Sequence, residues 1–207
     1  MAEEPRLTVD VVALPLGDYQ TNCYLVAAPG ASEAVVVDPG DQPELVLSVL
    51  GERGWTAAAI LVTHGHFDHL GAIAGVAAAT GAEVWMPRGE ADELRTFDGA
   101  PYEPEHLVDG GETLQLAGLE FQVLAVPGHS PAAVAYATDG LVFIGDLLFA
   151  GSVGRTDLKG SDHDTLLASI SAVMDALPGE TVVAPGHGPA TTLERERLTN
   201  PFLESLR

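Results

Sequence analysis

Short apolar runs alternate along this chain with stretches whose apolar residues recur every three or four positions. Apolar runs at 7–14, 23–28 and 34–37 predict three strands, the last closed by the turn signal Asp38-Pro39-Gly40. Leu45, Val46, Val49 and Leu50 have the spacing of one helix face, so 43–53 is expected to be helical. A strand over 57–63 delivers the chain to His64. Alanines and glycines with Leu70, Ile73 and Val76 then predict a small-residue helix over 69–79, followed by a brief strand at 83–86. The second half repeats this order. Strands are expected at 113–116, 119–126, 134–138 and 141–145, and a helix at 164–177 with Ser161 or Asp162 as its N-cap. A last strand is expected at 181–184, then a helical tail from 193 interrupted by Pro201. Two strand-rich halves, each followed by helix, suggest two sheets face to face with helices outside.

Polar residues that interrupt this pattern cluster where strands end. The strand over 57–63 exits into His64-Gly65-His66-Phe67-Asp68-His69, which puts three histidines and one aspartate in six residues. Neutral imidazole and carboxylate are ligands for borderline and hard metals. The donors are too crowded for one four-coordinate ion, which leaves two adjacent metals, or one metal with a general base beside it. His129 in Pro127-Gly128-His129-Ser130, Asp146 after Gly145, and His187 in Pro185-Gly186-His187-Gly188 share the context of a strand exit flanked by glycine or proline. Loops at sheet ends are where a rigid scaffold gathers distant groups. A carboxylate such as Asp146 is costly to bury unpaired, so a cation partner is a natural account of it. Asp38 reads as a turn residue, or one that orients ligands. His106 and His163 sit in charged surroundings and read as surface residues.

Composition narrows the partners. The 207 residues suit one domain over 1–207, with a short helical tail at about 193–207. Hydrophobic residues make up 46% of the chain, enough for a sizeable core. Nine basic against thirty acidic side chains give a net charge of −21, which repels phosphate backbones and anionic lipid. Neither nucleic acid nor a membrane is therefore expected as a partner. The single cysteine, Cys23, excludes an internal disulfide and lies in the apolar run Cys23-Tyr24-Leu25-Val26, so it reads as buried. No leader or membrane-length apolar run is seen, and the expected location is the cytoplasm.

The order His64-x-His66-x-Asp68-His69, then His129, Asp146 and His187, resembles the metallo-β-lactamase fold superfamily over nearly the whole chain. The resemblance implies an α/β, four-layer αββα sandwich of two mixed sheets flanked by helices. It also implies two metals, zinc by expectation with iron or manganese as alternatives. His64, His66 and His129 would hold one metal, Asp68, His69 and His187 the other, and Asp146 would bridge them. His69 and Asp146 look like the glyoxalase II branch, since β-lactamases proper usually lack that histidine and carry a cysteine near the Asp146 position. Arg155, in Gly154-Arg155-Thr156-Asp157, stands where glyoxalase II often has a lysine contacting the glutathione carboxylate, and equally suits an ion pair. The chain departs from full-length glyoxalase II in having Gly188-Pro189-Ala190 where a tyrosine is usual, and a short C-terminal region. It is more similar to the short bacterial glyoxalase II-like proteins. The implied activity is hydrolysis of a small thioester such as S-lactoylglutathione by a hydroxide held between the metals, with Asp68 as ligand and orienting group. Persulfide dioxygenases share the Gly-Arg-Thr-Asp form and imply an alternative: one Fe(II) on His64, His129 and Asp146. A hydrolase of other esters or lactones also fits the fold.

Overall fold

The computed structural model describes residues 9–206. The first sheet is built in chain order from β1 (Asp10–Leu16), β2 (Thr21–Ala27), β3 (Glu33–Val37), β4 (Thr56–Leu61), β5 (Glu83–Pro87) and β6 (His106–Val108). β1 to β3 are antiparallel and joined by tight turns; β3 to β6 are parallel. Parallel neighbours need crossover connections. These are α1 (Pro43–Arg53), α2 (Ile73–Thr80) and the short α3 (Ala91–Arg95). The second sheet begins with the antiparallel meander β7 (Thr113–Leu116), β8 (Leu119–Ala125), β9 (Val134–Thr138) and β10 (Leu141–Gly145). A two-stranded ribbon, β11 (Leu148–Phe149) and β12 (Ser152–Val153), and then α4 (His163–Ala176) lead to β13 (Val182–Pro185). β13 pairs parallel to β10, and β14 (Thr191–Thr192) adds the edge before α5 (Leu193–Thr199).

Strand alternation divides the apolar residues into three layers of core. Tyr24 and Val26 of β2 face Phe121, Val123, Tyr136 and Phe143 of the second sheet, while Cys23 and Leu25 face Val46, Leu50, Ile73 and Val76 of the helices. On the far side, Val142 and Ile144 pack on Leu166, Ile170 and Val173 of α4, with Leu193 and Leu203 of the tail. The order of layers is thus helix, sheet, sheet, helix. Both faces of β2, β9 and β10 are buried, so these strands are continuous apolar runs. Each fully buried Leu, Ile or Val contributes about 1.5–3 kcal/mol.

Most expected elements occur within a residue or two. β1 ends later than expected, at Leu16, because Pro15 is tolerated on an edge strand; positions 7 and 8 of the expected strand lie outside the described residues. The helix expected from 69 starts at Ile73, since Phe67–His69 form a separate 3-10 turn that aims Asp68 and His69 inward. Asp162 is the N-cap of α4, accepting from the Thr165 N–H, and Pro201 ends the tail helix as expected, with a 3-10 turn beyond. α3 and β6 were not legible because five and three residues are too short to show a period. Among the described residues no helix is long and apolar enough to cross a membrane.

Candidate metal centre

β3 and β4 run in the same direction, as do β8, β10 and β13 in the other sheet. Their C-terminal ends meet along one edge. Asp38 follows β3, His64 to His69 follow β4, His129 follows β8, Asp146 follows β10 and His187 follows β13. Backbone bonds clamp the two sheets together at this edge, from the Asn22 N–H to the Gly186 carbonyl and from the Val134 N–H to the Thr63 carbonyl. All seven residues singled out by sequence are brought together there. Three groups have donor atoms within 4.8 Å of one another: His64, His66 and His129; Asp68, His69 and His187; and His64, His69 and Asp146.

Hydrogen bonds behind these side chains fix which nitrogen of four of the rings is turned toward the centre. His129 Nδ1 faces the Arg155 carbonyl at 2.9 Å and His187 Nδ1 faces the Tyr19 carbonyl at 3.1 Å. A carbonyl only accepts, so both rings carry the proton on Nδ1. His69 Nδ1 likewise donates to Asp38 Oδ2 at 3.0 Å. The Thr63 hydroxyl gives its one proton to Asp38 Oδ2 at 2.7 Å, and so accepts from His64 Nδ1 at 3.0 Å. Asp38 also accepts from the Thr63 N–H, so one buried carboxylate anchors His69 directly and His64 through Thr63. Asp38 was anticipated as an orienting residue; Thr63 was not.

The half of the centre made by His64, His66 and His129 thereby presents lone pairs to lone pairs. His64 Nε2 and His129 Nε2 lie 3.0 and 2.8 Å from His66 Nδ1. One proton on His66 Nδ1 can satisfy only one of them, leaving the other facing a nitrogen without a hydrogen between. His69 Nε2 and Asp146 Oδ1 are buried without a hydrogen-bond partner among the described residues, and lie 3.6 Å apart. Buried polar atoms are ordinarily paired. A cation resolves each of these mismatches, so the donor set fits divalent metal ions.

The electrostatics divide the centre in two. Burial, then the neighbouring histidines, push His64 well below its ordinary pKa; burial, then His129, lowers His66. Both are neutral at pH 7 and ready to ligate. Burial opposes charge on His69, but Asp38 and Asp146 outweigh it and raise its pKa well above the ordinary value. His187, 3.4 Å from Asp146 and 3.2 Å from Asp68, is raised to about 10 by those carboxylates. Asp68 is opposed by burial yet lowered to about 2, chiefly by the hydrogen bond from His187. Without a cation, this half of the centre carries protons where positive charge is needed.

Arg155 is placed differently from the seven. Its guanidinium lies at the surface in a two-point pair with Asp157, at 2.7 and 2.8 Å, while its carbonyl anchors His129. His163 is exposed; His106 is partly exposed, bonded to Glu83 and stacked on Trp85. Cys23 is fully buried, which raises its thiol pKa. Sequence gave no sign of Glu90, a buried carboxylate that binds the Gly65 N–H, the Ser130 hydroxyl and the Ala132 N–H. A cleft of about 270 Å³ opens beside Asp68, walled by Leu16, Tyr19, Phe67 and Phe97.

A family model for the metallo-beta-lactamase superfamily matches residues 16–187, a span that contains every donor. The chain belongs to this superfamily. The Bacillus subtilis probable metallo-hydrolase YqgX is 36% identical, covering 92% of this chain and 95% of its own. The Haemophilus influenzae hydroxyacylglutathione hydrolase GloC is 31% identical, over 95% and 99%. Among solved structures, the BLEG-1 B3 metallo-beta-lactamase superposes with a TM-score of 0.87 at 38% identity, over 94% of this chain and 100% of that one. A di-iron-bound form of TTHA1623 gives 0.80 at 43% identity, over 93% and 100%, and ETHE1 from Myxococcus xanthus gives 0.81 at 30%, over 93% and 83%. The αββα sandwich is therefore that of the superfamily.

Proposed function

We propose that this protein is a metal-dependent hydrolase of small thioesters, of the S-lactoylglutathione type. The observation that carries this reading is the convergence, beside a cleft, of three imidazole nitrogens that one proton on His66 Nδ1 cannot all satisfy and of a buried carboxylate oxygen on Asp146 without a hydrogen-bond partner. His64, His66 and His129 would hold one divalent ion, Asp68, His69 and His187 a second, and Asp146 lies between the two sets. Ions bound there supply Lewis acidity, lowering the pKa of water and polarising a carbonyl. Asp68 is anchored by the Thr21 hydroxyl at 2.8 Å and kept ionised, so its carboxylate can accept a hydrogen bond from the attacking water and orient it. The cleft walled by Leu16, Tyr19, Phe67 and Phe97 excludes bulk water from one side and has room for an acyl group. Arg155 is the cation we assign to a substrate carboxylate; its pair with Asp157 is exposed, and such pairs exchange at little cost. The likeness to GloC supports glutathione as the thiol carrier. A lone buried cysteine suits a reducing compartment such as the cytoplasm.

The test is metal analysis of the purified protein combined with turnover of thioesters and persulfides. Two zinc ions per chain and thioester cleavage without oxygen uptake are expected. His64→Ala should lower the metal content and reduce hydrolysis by more than the roughly 10- to 100-fold typical of changing a residue behind a ligand. Retained hydrolysis with reduced metal overturns the proposal. The Gly154-Arg155-Thr156-Asp157 form, which resembles that of persulfide dioxygenases, favours a second reading, oxidation of a persulfide at one Fe(II), and the di-iron-bound form of a protein 43% identical supports iron as a metal for such a donor set. One iron per chain and oxygen consumption would establish that instead.

A further inference from the structure

We infer that Glu90 and Asn22 are positioning residues that set the two cation positions separately, Glu90 by stapling the loop after β4 to the loop after β8 and Asn22 by stapling β2 to the loop after β13. This rests on the two-cation reading above. Each position draws donors from both sheets: His129 must meet His64 and His66, and His187 must meet Asp68 and His69. Loops from separate sheets share only isolated backbone bonds, such as Val134 N–H to the Thr63 carbonyl and Asn22 N–H to the Gly186 carbonyl, so side chains must complete the link that fixes the distance between them.

For the first position that link is Glu90. Its Oε2 accepts from the Gly65 N–H, between His64 and His66, and its Oε1 accepts from the Ser130 hydroxyl and the Ala132 N–H, just past His129. Glu90 is 4% exposed and has no cationic partner in these bonds, so its carboxylate is held by three donors, two of them backbone. Two glycines make the approach possible. A Cβ at Gly65 would lie 3.1 Å from Glu90 Oε2 and 3.0 Å from Glu93, and one at Gly89 would lie 2.6 Å from the Ala132 side chain. None of these bonds reaches Asp68, His69 or His187.

For the second position the link is Asn22. Its amide donates to the carbonyls of Pro185 at 3.0 Å and Gly188 at 2.8 Å, spanning His187, and its N–H donates to the Gly186 carbonyl. The Tyr24 hydroxyl adds a bond to the Pro185 carbonyl at 2.8 Å. On the same strand, Thr21 bonds Asp68 and forms a bridge with His187. None of these bonds reaches the loop of His129.

Glu90→Gln tests the first staple with little change in volume. Its amide oxygen can still accept from Ser130 and Ala132, but its NH2 then faces the Gly65 N–H, donor against donor. Ser130→Ala removes one arm more gently. Asn22→Ala and Tyr24→Phe do the same for the second staple. Metal-stripped protein is titrated with Co²⁺ and followed by visible absorption and calorimetry, with bands assigned from His66→Ala and His187→Ala. Thermal unfolding confirms that each variant is folded. Glu90→Gln should weaken the first position by about 10- to 100-fold and leave the second within a fewfold. Asn22→Ala should do the reverse, with Ser130→Ala and Tyr24→Phe giving smaller changes of the same selectivity. Equal weakening of both positions by Glu90→Gln, or unchanged binding in a folded variant, overturns the inference. If the unmutated protein binds fewer than two Co²⁺, the two-cation reading itself falls, a result distinct from loss of selectivity.

Discussion

At Asp38 one carboxylate orients two imidazoles, and this economy explains why the residue scale was only half legible. The clustered histidines announce themselves by type and spacing, and the Asp-Pro-Gly turn marks Asp38 as a candidate for orienting them. Thr63 looks like the last residue of an apolar strand. Glu90 sits in Arg88-Gly89-Glu90-Ala91-Asp92-Glu93, which reads as a solvated charged run; only its burial to 4% exposure reveals its role. The residue scale also yields a pH prediction. His64 and His66, with lowered pKa values, have no protons to displace near neutrality. His69 and His187, with raised values, are protonated in the metal-free protein, and a cation must displace those protons. In the metal-free chain a raised histidine pKa contributes stability that is fully present below the ordinary 6.5 and is lost as pH rises through about 10 for His187. The metal-bound form gains relative to it over the same window. The rise in Tm on adding metal should therefore grow from pH 6.5 towards 10, and calorimetry near pH 7 should show proton release on filling the second position and little on filling the first. Proton release confined to the first position would contradict the assignment of charge in the centre.

At the scale of elements, the legible feature was that each donor follows an apolar strand. What the pattern could not show was that β3 and β4 run the same way in one sheet and β8, β10 and β13 in the other, with their exits at one edge, because direction is a property of pairing and not of periodicity. Once aligned, their exits are pressed together so tightly that the glycines beside the donors have physical reasons. A Cβ at Gly186 would lie 2.1 Å from Asp146 Oδ1 and 2.9 Å from His69 Cε1. Gly186→Ala should therefore displace Asp146, reduce metal content and activity together, and cost about 1–3 kcal/mol of stability as overpacking does. Gly51, within α1 and on open surface, is the contrast: nothing lies within 4 Å of its Cβ position. Gly51→Ala should stabilise the chain by about 0.5–1 kcal/mol with metal content unchanged. Chemical denaturation and metal analysis of the two variants separate crowding at the centre from a general intolerance of side chains at glycine.

At the scale of the whole molecule, the layered architecture could be inferred from the order of elements, and the charge from composition, but the balance between near and far fields needs the structure. Near the centre, Asp68 and Asp146 would be outweighed by two divalent ions, which favours a carboxylate-bearing substrate once it has arrived. Farther out, the net charge of −21 opposes its approach. The Debye length decides which field an incoming molecule meets, at about 30 Å in 0.01 M salt and about 8 Å in 0.15 M. At low salt an anionic thioester feels the entire acidic surface; near physiological salt it feels only what lies close to the cleft. For S-lactoylglutathione, kcat/KM should therefore rise with ionic strength over this range. For a neutral thioester with the same acyl group it should stay nearly flat. If the anionic substrate instead reacts more slowly as salt is added, attraction by the metal centre and Arg155 extends beyond the surface charge, and the acidic exterior takes no part in substrate selection.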